Sequence, residues 1–460
     1  MAGEIIAPIS PLTPALAQEL PVVWPERAAG KLSCGIPVHL VERHTIPKFS
    51  IQFFVRSGNA AVAGTHPALA QLTSTVLRTG TASRGERAID NELRRIGADL
   101  GAGCGADSSW IAANGLSEFS AELVGLVADL ARNASFPAET FEREQRNMVE
   151  GVRLDRTSPG FLAGERLRKI LFGAHPYAVV GPTEEQVAAL SRAHLAEFHR
   201  ANYSPENALI LAVGDFQPKE LLEQLERAFS GWYGPRPERP VEAPLPSHAG
   251  RHVSLVHVPG AVQTQILAGN IAITRQHPDW LPVTLANAIY GGVFNSRLVA
   301  NIREQKGYTY SPRSGVNALR RHGYFSVSAA VRNEVVAATL TEIFYELDRI
   351  RALPVGGDEL SDARAYLSGV FSLGIATLDG LAGQLATLYL YELPEDYLET
   401  YRDRIRALSA DDVIQAARAH FDSANLQIVV VGDAEQIAPQ ARLFGDVQVF
   451  DAQGKALTAG

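Results

Sequence analysis

The chain has 460 residues, of which 46% are hydrophobic and 20% are charged, a composition typical of a globular protein with a large core. This length predicts two large domains or as many as three smaller ones. A net charge of −8 at pH 7 argues against a nucleic-acid partner, because no excess of basic residues is available to neutralise phosphates. The sequence contains no run of about 18 apolar residues, so we expect no membrane span.

The compartment is only weakly indicated. Two cysteines, Cys34 and Cys104, leave it open, because one disulfide would be a minor constraint in a chain of this size. Residues 1–23 are predicted to be a flexible arm, since Glu4 stands where a signal peptide carries basic residues and prolines interrupt the apolar stretch. We expect a cytoplasmic location, or a periplasmic one if the native N-terminus differs from this one.

From residue 24 onward, short strand patterns alternate with helical patterns. We predict strands at 35–42 and 49–56, helices at about 67–78 and 88–96, and two strands within 99–115. Helices follow at 118–133, 138–154 and 160–171, then two short helices within 184–201 and a buried strand at 208–213.

A proline-rich stretch separates a first domain at 24–232 from a second domain at 251–450. Residues 233–250 hold prolines among polar residues, which is typical of a semi-rigid linker. These prolines are at positions 235, 237, 240, 244 and 246. Residues 451–460 are predicted to form a tail.

The second domain repeats the first. Several matching residues are separated by 218 positions, as Leu408 is from Leu190. The matches are Leu190-Ser191 with Leu408-Ser409, Tyr203 with Phe421, Asn207 with Asn425, and Val213-Gly214-Asp215 with Val431-Gly432-Asp433. We therefore predict an α+β protein of two homologous domains from an internal duplication, each a largely antiparallel sheet packed with helices.

One segment of the second domain, residues 295–311, has the sequence NSRLVANIREQKGYTYS. Its first part predicts a short helix with one apolar stripe, formed by Leu298, Val299 and Ile302. Gly307 is placed to end this helix in the left-handed conformation, which costs glycine little.

This arrangement brings Arg303, in the last helical turn, close to Tyr310. Residues 308–310 are predicted to begin a strand, so a sharp reversal lies between the two side chains. Taken alone, the pair has an ordinary interpretation, because an Arg there offsets the helix dipole and a Tyr is common in strands. The alternative is a site that presents a guanidinium and a phenol together.

A further set of residues connects the chain with a known family. The set comprises Gly58, Gly80-Thr81, His175-Pro176-Tyr177, the two Val-Gly-Asp sequences, Pro259-Gly260-Ala261, Gly291-Gly292, Asn295-Ser296-Arg297-Leu298, Arg303, Gly307 and Tyr310. With these residues the chain resembles the pitrilysin/insulinase zinc peptidases of the mitochondrial-processing-peptidase type over most of residues 24–450. The resemblance implies a duplicated α+β unit, four copies of which enclose an extended peptide in a chamber.

Catalytic members of that family carry H-x-x-E-H on a helix of the first domain. There two His hold Zn²⁺, the Glu is the general base, and a Glu farther along completes the site. The resemblance places these positions on Gln71, Ser74 and Thr75, with the downstream ligand at Gly151. None is a usual zinc ligand, and Glu150 alone makes no tetrahedral site, so we expect this chain to bind no metal.

Other candidate ligands lack zinc-site spacing. Gln71, Thr75 and Arg78 share one helix face and are expected to form a polar stripe toward a water-filled cavity. His175 is expected to be structural. Also considered, and not expected to be ligands, are His194 with Glu197, His39 with His44, and His252 with His257.

By the same resemblance, Arg303 and Tyr310 match a functional pair. Tyr310 would donate to the oxyanion of the tetrahedral intermediate, and Arg303 would bind a backbone carbonyl of the substrate. The peptide itself would join an exposed sheet edge through main-chain hydrogen bonds.

A chain with this pair but without zinc ligands is incomplete as an enzyme. We expect it to be the non-zinc subunit of a heterodimer, inactive alone, whose zinc-bearing homologous partner supplies H-x-x-E-H for peptide hydrolysis. One alternative is an inert scaffold subunit, similar to the core proteins of respiratory complexes. Another is a self-sufficient hydrolase with unrecognised metal ligands.

Overall fold

The computed structural model describes residues 22–238 and 243–457. Its two mixed sheets are packed with helices, so the predicted α+β class is confirmed. Of the predicted N-terminal arm, only residues 22 and 23 are described. Residues 239–242 of the predicted linker and 458–460 of the predicted tail also lie outside the described residues.

The first sheet has the strand order β1-β2-β6-β3-β5-β4, and only its β2–β6 pair is parallel. The strands are β1 Arg27–Lys31, β2 Pro37–Glu42, β3 Lys48–Val55, β4 Asp99–Cys104, β5 Ser109–Leu116 and β6 Ala208–Gly214. The helices of this half are α1 Leu69–Leu77, α2 Glu86–Ile96, α3 Ser120–Asn133, α4 Ala138–Asp155, α5 Pro159–Phe172, α6 Glu184–Ala188, α7 Arg192–Asn202 and α8 Pro218–Phe229.

The second sheet has the order β13-β12-β7-β11-β8-β10-β9, with parallel pairs β12–β7 and β7–β11. Its strands are β7 His252–His257, β8 Gln263–Ala272, β9 Arg313–Ala318, β10 Gly323–Arg332, β11 Gln427–Gly432, β12 Asp446–Phe450 and β13 Ala456–Leu457. The helices are α9 Trp280–Asn287, α10 Val336–Ala352, α11 Gly357–Gly374, α12 Leu378–Leu390, α13 Tyr397–Ala407, α14 Ala410–His420 and α15 Ala434–Ala441.

The two sheets repeat one topology, which confirms the internal duplication. The order β2-β6-β3-β5-β4 in the first sheet corresponds to β7-β11-β8-β10-β9 in the second. Helices α7 and α14 both begin with a capping box, made by Ser191 and Ser409, two of the residues matched in the sequence.

The helices and strands predicted in the first half are present, with ends shifted by no more than two residues. Helix α8 was not predicted, and neither was strand β1. Strand β1 has five residues, without alternation of polar and apolar side chains, and it pairs antiparallel with β2, placing Ala29 opposite His39. Pairing with a neighbour, not local pattern, makes this segment a strand.

Strands β6 and β11 are buried on both faces. In β6, Ile210 packs into the core of the first half, whereas Leu209 and Leu211 face the other way into a separate cluster. Strand β11 alternates in the same way, with Val430 in the core of the second half and Val429 on the opposite face, in a separate buried cluster. Each sheet therefore needs cover on its second face.

A helix from the opposite half provides that cover. Helix α5 lies on β8 and β11, with Leu167 in the same cluster as Val429. Helix α12 lies reciprocally on β3 and β6, with Leu385 in the same cluster as Leu211. These four side chains are at most 1% exposed, so the two halves share their packing.

Within the described residues no single helix has both the length and the apolar character to cross a bilayer. Helices α11 and α12 meet that criterion only when taken together, and they join at a bend of 109°.

His199 of α7 is a buried titratable group in the first core. Its ring stacks on Tyr203 and meets Phe136 edge-on, and its Nε2–H donates to the Ala131 carbonyl oxygen at 3.0 Å. Burial lowers the pKa of His199 to about 4, because the charged imidazolium is poorly solvated there.

We expect His199→Gln to weaken the acid sensitivity of the fold. In the unfolded chain His199 takes up a proton near its ordinary pKa of about 6.5, so stability is lost as the pH falls from 6.5 to 4. The lowered pKa of His199 corresponds to about 3 kcal/mol of unfolding free energy. The wild type loses this stabilisation as the pH falls, whereas the Gln variant does not. Denaturant unfolding at pH 7 and pH 4 measures this. The exposed His252→Gln is the control, and an unchanged pH dependence in His199→Gln would refute the assignment.

Candidate functional site

The segment that carries Arg303 follows a close backbone passage after α9. Residues Ala288–Gly292 form a π-helical turn. A Cβ on Gly291 would lie 2.5 Å from Leu298 Cδ1, and one on Gly292 would lie 2.4 Å from the Asn287 side chain. These two positions therefore require glycine, because any side chain would collide with its neighbours.

The next turn is helical, as predicted, but it is a π-helix over Val299–Gln305. The Lys306 N–H donates to the Asn301 carbonyl at 3.0 Å, five residues back. The predicted apolar stripe is buried, with Leu298 and Ile302 at 0% exposure. Gly307 ends the helix with φ of +64°, in the left-handed conformation that was expected.

Arg297, just before this turn, and Asn301, within it, are tied to neighbouring helices. Arg297 makes a parallel pair of hydrogen bonds to Glu359 of α11, both at 2.7 Å, and only 7% of its side chain is exposed. The Asn301 amide donates to Glu342 at 2.9 Å and to Glu346 at 3.0 Å, both on α10. These bonds fix the orientation of the turn.

Arg303 faces outward from the same turn. Its guanidinium carbon lies 4.4 Å from the centre of the Tyr310 ring and 4.9 Å from that of Phe294. Its Nε also pairs with Glu304 at 3.1 Å. The structure thus brings Arg303 and Tyr310 together, and cation–π contacts on two sides hold the guanidinium.

The predicted strand at 308–310 is wrong. Strand β9 begins only at Arg313. Pro312 precedes it and lacks the N–H that a strand ladder uses, so pairing starts after the proline. Tyr310 therefore lies in the connection before β9, where 79% of it is exposed.

Phe294 was missed by the sequence argument. It is 65% exposed and lies against Arg303, which makes it part of the site surface. The available signal was a large apolar residue two positions after Gly292, outside the predicted helical stripe.

Strand β9 gives this site an open sheet edge. It is the last strand in its sheet, and within the described residues it pairs only with β10. Ser314 near its start donates to the Asn287 side-chain oxygen at 2.7 Å, which ties the edge to α9.

The positions that correspond to zinc ligands lie on α1 and α4, which pack against each other. Ser74 is buried and its hydroxyl donates to the Ala70 carbonyl at 3.0 Å. Thr75 donates to the Gln71 carbonyl at 3.1 Å. Both hydroxyls thus donate to backbone carbonyls of their own helix, and α1 contains no His, Cys, Asp or Glu.

The downstream position gives no ligand either. Gly151 has no side chain, and the adjacent Glu150 is paired with Arg153 at 2.6 Å on the surface of α4. Gln71 and Arg78 are exposed and Thr75 is half-buried on the outer face of α1. These residues do not fit a zinc ion.

The other histidines considered have local partners. His194 accepts from the Ser191 N–H at 3.2 Å as part of a capping box, and Glu197 on the same helix is exposed. His39 stacks on Tyr389 with ring centres 3.5 Å apart, and burial lowers its pKa to about 4.

His44 instead bonds Asp215 at 2.6 Å and Glu42 at 3.1 Å, and the bond to Asp215 raises its pKa most. His257 accepts from the Ala434 N–H at 3.0 Å, and His252 is exposed.

His175 lies where the two halves meet. It is 2% exposed, its Nδ1 accepts from the Tyr177 N–H at 3.1 Å, and its ring lies 5.1 Å from that of His322. The Tyr177 hydroxyl donates to Asp107, which also accepts from the Arg320 N–H. The His-Pro-Tyr sequence therefore belongs to the contact between the halves.

A second group missed by the sequence argument is His277, Asp279 and His420. The His-x-Asp spacing at 277–279 was a visible signal, but His420 is 141 residues away from Asp279. Only the packing of α14 on α9 brings the three together.

Comparison with known proteins places this geometry in context. Residues 189–367 match the family described as the peptidase M16 inactive domain. An uncharacterized zinc protease of Streptomyces coelicolor is 24% identical over 355 residues, which cover 75% of this chain and 76% of that protein.

Two solved structures are also similar. A peptidase M16 inactive domain from Pseudomonas fluorescens has a TM-score of 0.83 and 26% identity, covering 89% of this chain and 98% of that one. A chain of complex III2 from Candida albicans is similar in fold alone, with a TM-score of 0.75 and 17% identity over 91% of this chain and 99% of that one.

Replacing glycine by alanine should change the unfolding free energy in opposite directions at Gly307, in the left-handed turn before Tyr310, and at Gly369, inside a helix. A Cβ meets open space at both Gly307 and Gly369, so packing does not enter. Gly307→Ala should lower the unfolding free energy by about 1–2 kcal/mol, because φ is positive there. Gly369→Ala, inside α11, should raise it by about 0.5–1 kcal/mol through helix propensity. Denaturant unfolding measures both, and equal shifts would contradict the assigned turn.

Proposed function

We propose that this chain, whose residues 189–367 match the peptidase M16 inactive domain, is the non-zinc subunit of a heterodimeric zinc metallopeptidase. A homologous partner carrying H-x-x-E-H would supply the zinc ion and the general base. This chain would supply Arg303 and Tyr310 to the same peptide. The contact of the Arg303 guanidinium with the Tyr310 ring, at 4.4 Å on an accessible surface, is the observation that carries the proposal.

The two side chains suit different parts of a peptide substrate. The Tyr310 hydroxyl is a donor that can be aimed at the oxygen where negative charge develops during attack on a peptide carbonyl. The Arg303 guanidinium is a fork of N–H donors suited to a backbone carbonyl, and the rings of Phe294 and Tyr310 limit its movement. A donor held in place before the reaction loses little energy to reorganisation.

The edge of the second sheet supports binding of an extended peptide. Strand β9 starts three residues after Tyr310 and has strand β10 on one side. An extended substrate would pair with the other side through main-chain hydrogen bonds, which recognise peptides of many sequences. Peptides are therefore the proposed substrate class.

The zinc ion is assigned to the partner because this chain has no site for it on α1. Gln71, Ser74 and Thr75 offer an amide and two hydroxyls, and Gly151 offers no side chain. We therefore propose that the chain alone does not hydrolyse peptides.

The principal alternative is a scaffold subunit without a catalytic role. The fold shared with a chain of complex III2 is compatible with it, but fold alone does not distinguish the two functions. A scaffold has no need for an exposed Tyr beside a held Arg, and this favours the shared catalytic site. A self-sufficient hydrolase would need stoichiometric metal and activity in the isolated chain.

In a complex with an H-x-x-E-H homologue from the same genome, we expect Tyr310→Phe to lower kcat by about 10²–10³, the usual loss for one oxyanion donor. Arg303→Ala should mainly raise KM, because a substrate contact is lost. Peptide hydrolysis with a quenched fluorescent substrate measures both constants.

Tyr345→Phe is the matched control, because Tyr345 is another exposed tyrosine, at 56%, on α10. It should leave both constants unchanged. Wild-type rates in the Tyr310→Phe and Arg303→Ala complexes would refute the shared site and favour the scaffold.

A further inference from the structure

His277, Asp279 and His420 form a cluster of metal-ligand side chains apart from the Arg303–Tyr310 pair. One ligand atom from each residue lies within 4.8 Å of the other two. Within residues 22–238 and 243–457, it is the only group of three or more His, Cys, Asp or Glu side chains with such spacing. His277 and Asp279 directly precede α9, and His420 ends α14.

The separations suit one small cation. His420 Nε2 lies 2.8 Å from Asp279 Oδ2, and His277 Nδ1 lies 3.9 Å from the same oxygen. A tetrahedral ion with bonds of about 2.0–2.1 Å holds its ligand atoms about 3.3 Å apart. The two separations lie on either side of that value, so movements of about half an ångström would bring each of these two pairs of atoms to it.

The Asp279 side chain contacts two histidines and does not cap α9. It stands immediately before α9, where an Asp side chain often accepts from the helix backbone, but it makes no such bond. Its carboxylate instead lies between the two imidazoles. The Asp279 N–H donates to His277 Nδ1 at 3.1 Å, and His420 Nε2 hydrogen-bonds Asp279 Oδ2 at 2.8 Å. A cation bound to these side-chain atoms would replace both hydrogen bonds.

The exposure of the cluster leaves room for further ligands. The His420 side chain is 14% exposed and held against α9, while those of His277 and Asp279 are 41% and 45% exposed. One side of the cluster is therefore packed against protein, and the other is open to water or a fourth donor.

We propose that His277, Asp279 and His420 bind one divalent transition-metal ion of the Zn²⁺, Co²⁺ or Ni²⁺ class. Imidazole nitrogens with one carboxylate suit these ions, whereas Mg²⁺ and Ca²⁺ prefer oxygen ligands throughout. The ion would join α14 to α9, the helix that leads through Gly291 and Gly292 to Phe294. This departs from the expectation that the chain binds no metal, which rested on α1 and residue 151.

The test is a metal titration of the isolated full chain, prepared without a polyhistidine tag and stripped of metal. Calorimetry with Zn²⁺ should give saturable binding of one equivalent, and Co²⁺ should produce visible absorption bands of a ligated ion. His277→Ala and Asp279→Asn should each weaken the affinity for Zn²⁺ by at least about tenfold. Even substitution of residues that only hydrogen-bond to metal ligands costs about that much.

His252→Ala is the matched control, because it removes an exposed histidine from the start of β7. It should bind Zn²⁺ like the wild type, and circular dichroism verifies that each variant is folded. No saturable uptake by the wild type, or equal uptake by folded His277→Ala and Asp279→Asn, would overturn the site. The experiment uses no partner and no peptidase assay, so its failure is independent of the proposed function.

Discussion

The structure depends on the exchange of one helix between its two halves. Strands β6 and β11 are apolar on both faces, and a helix from the other half covers the second face of each sheet. Leu167 of α5 and Leu385 of α12 occupy equivalent places in these contacts. Because burial of such side chains is worth about 1.5–3 kcal/mol each, neither half retains its full stabilisation without the other. The linker thus separates two repeats in the sequence but not two independent cores.

This shared packing gives the candidate site a rigid support. The turn over Val299–Gln305 is held to α10 and α11 by Asn301 and Arg297, and its apolar residues lie in the second core. Arg303, on the same turn, faces outward and contacts Phe294 and Tyr310. In the first half, Gln71, Ser74 and Thr75 offer no imidazole, thiolate or carboxylate.

Local sequence patterns predicted most of the fold. Periodicity located the helices and strands of the first half to within two residues, except β1 and α8, and the repeat at 218 positions indicated a second domain of the same kind. The approach of Arg303 to Tyr310 also followed from a helix ended by Gly307. What failed depends on contacts distant in sequence. Strand β1 exists by pairing with β2, the exchange of α5 and α12 leaves no local signal, and His420 reaches Asp279 only through the packing of α14 on α9.

The central claim is that this chain completes an active site whose zinc ion belongs to another subunit. Its most direct test is to titrate the purified chain into a fixed amount of an H-x-x-E-H homologue and to follow peptide hydrolysis. The account predicts little activity from either protein alone and a rate that saturates at one equivalent. A homologue that is fully active alone and unaffected by addition of this chain would contradict it.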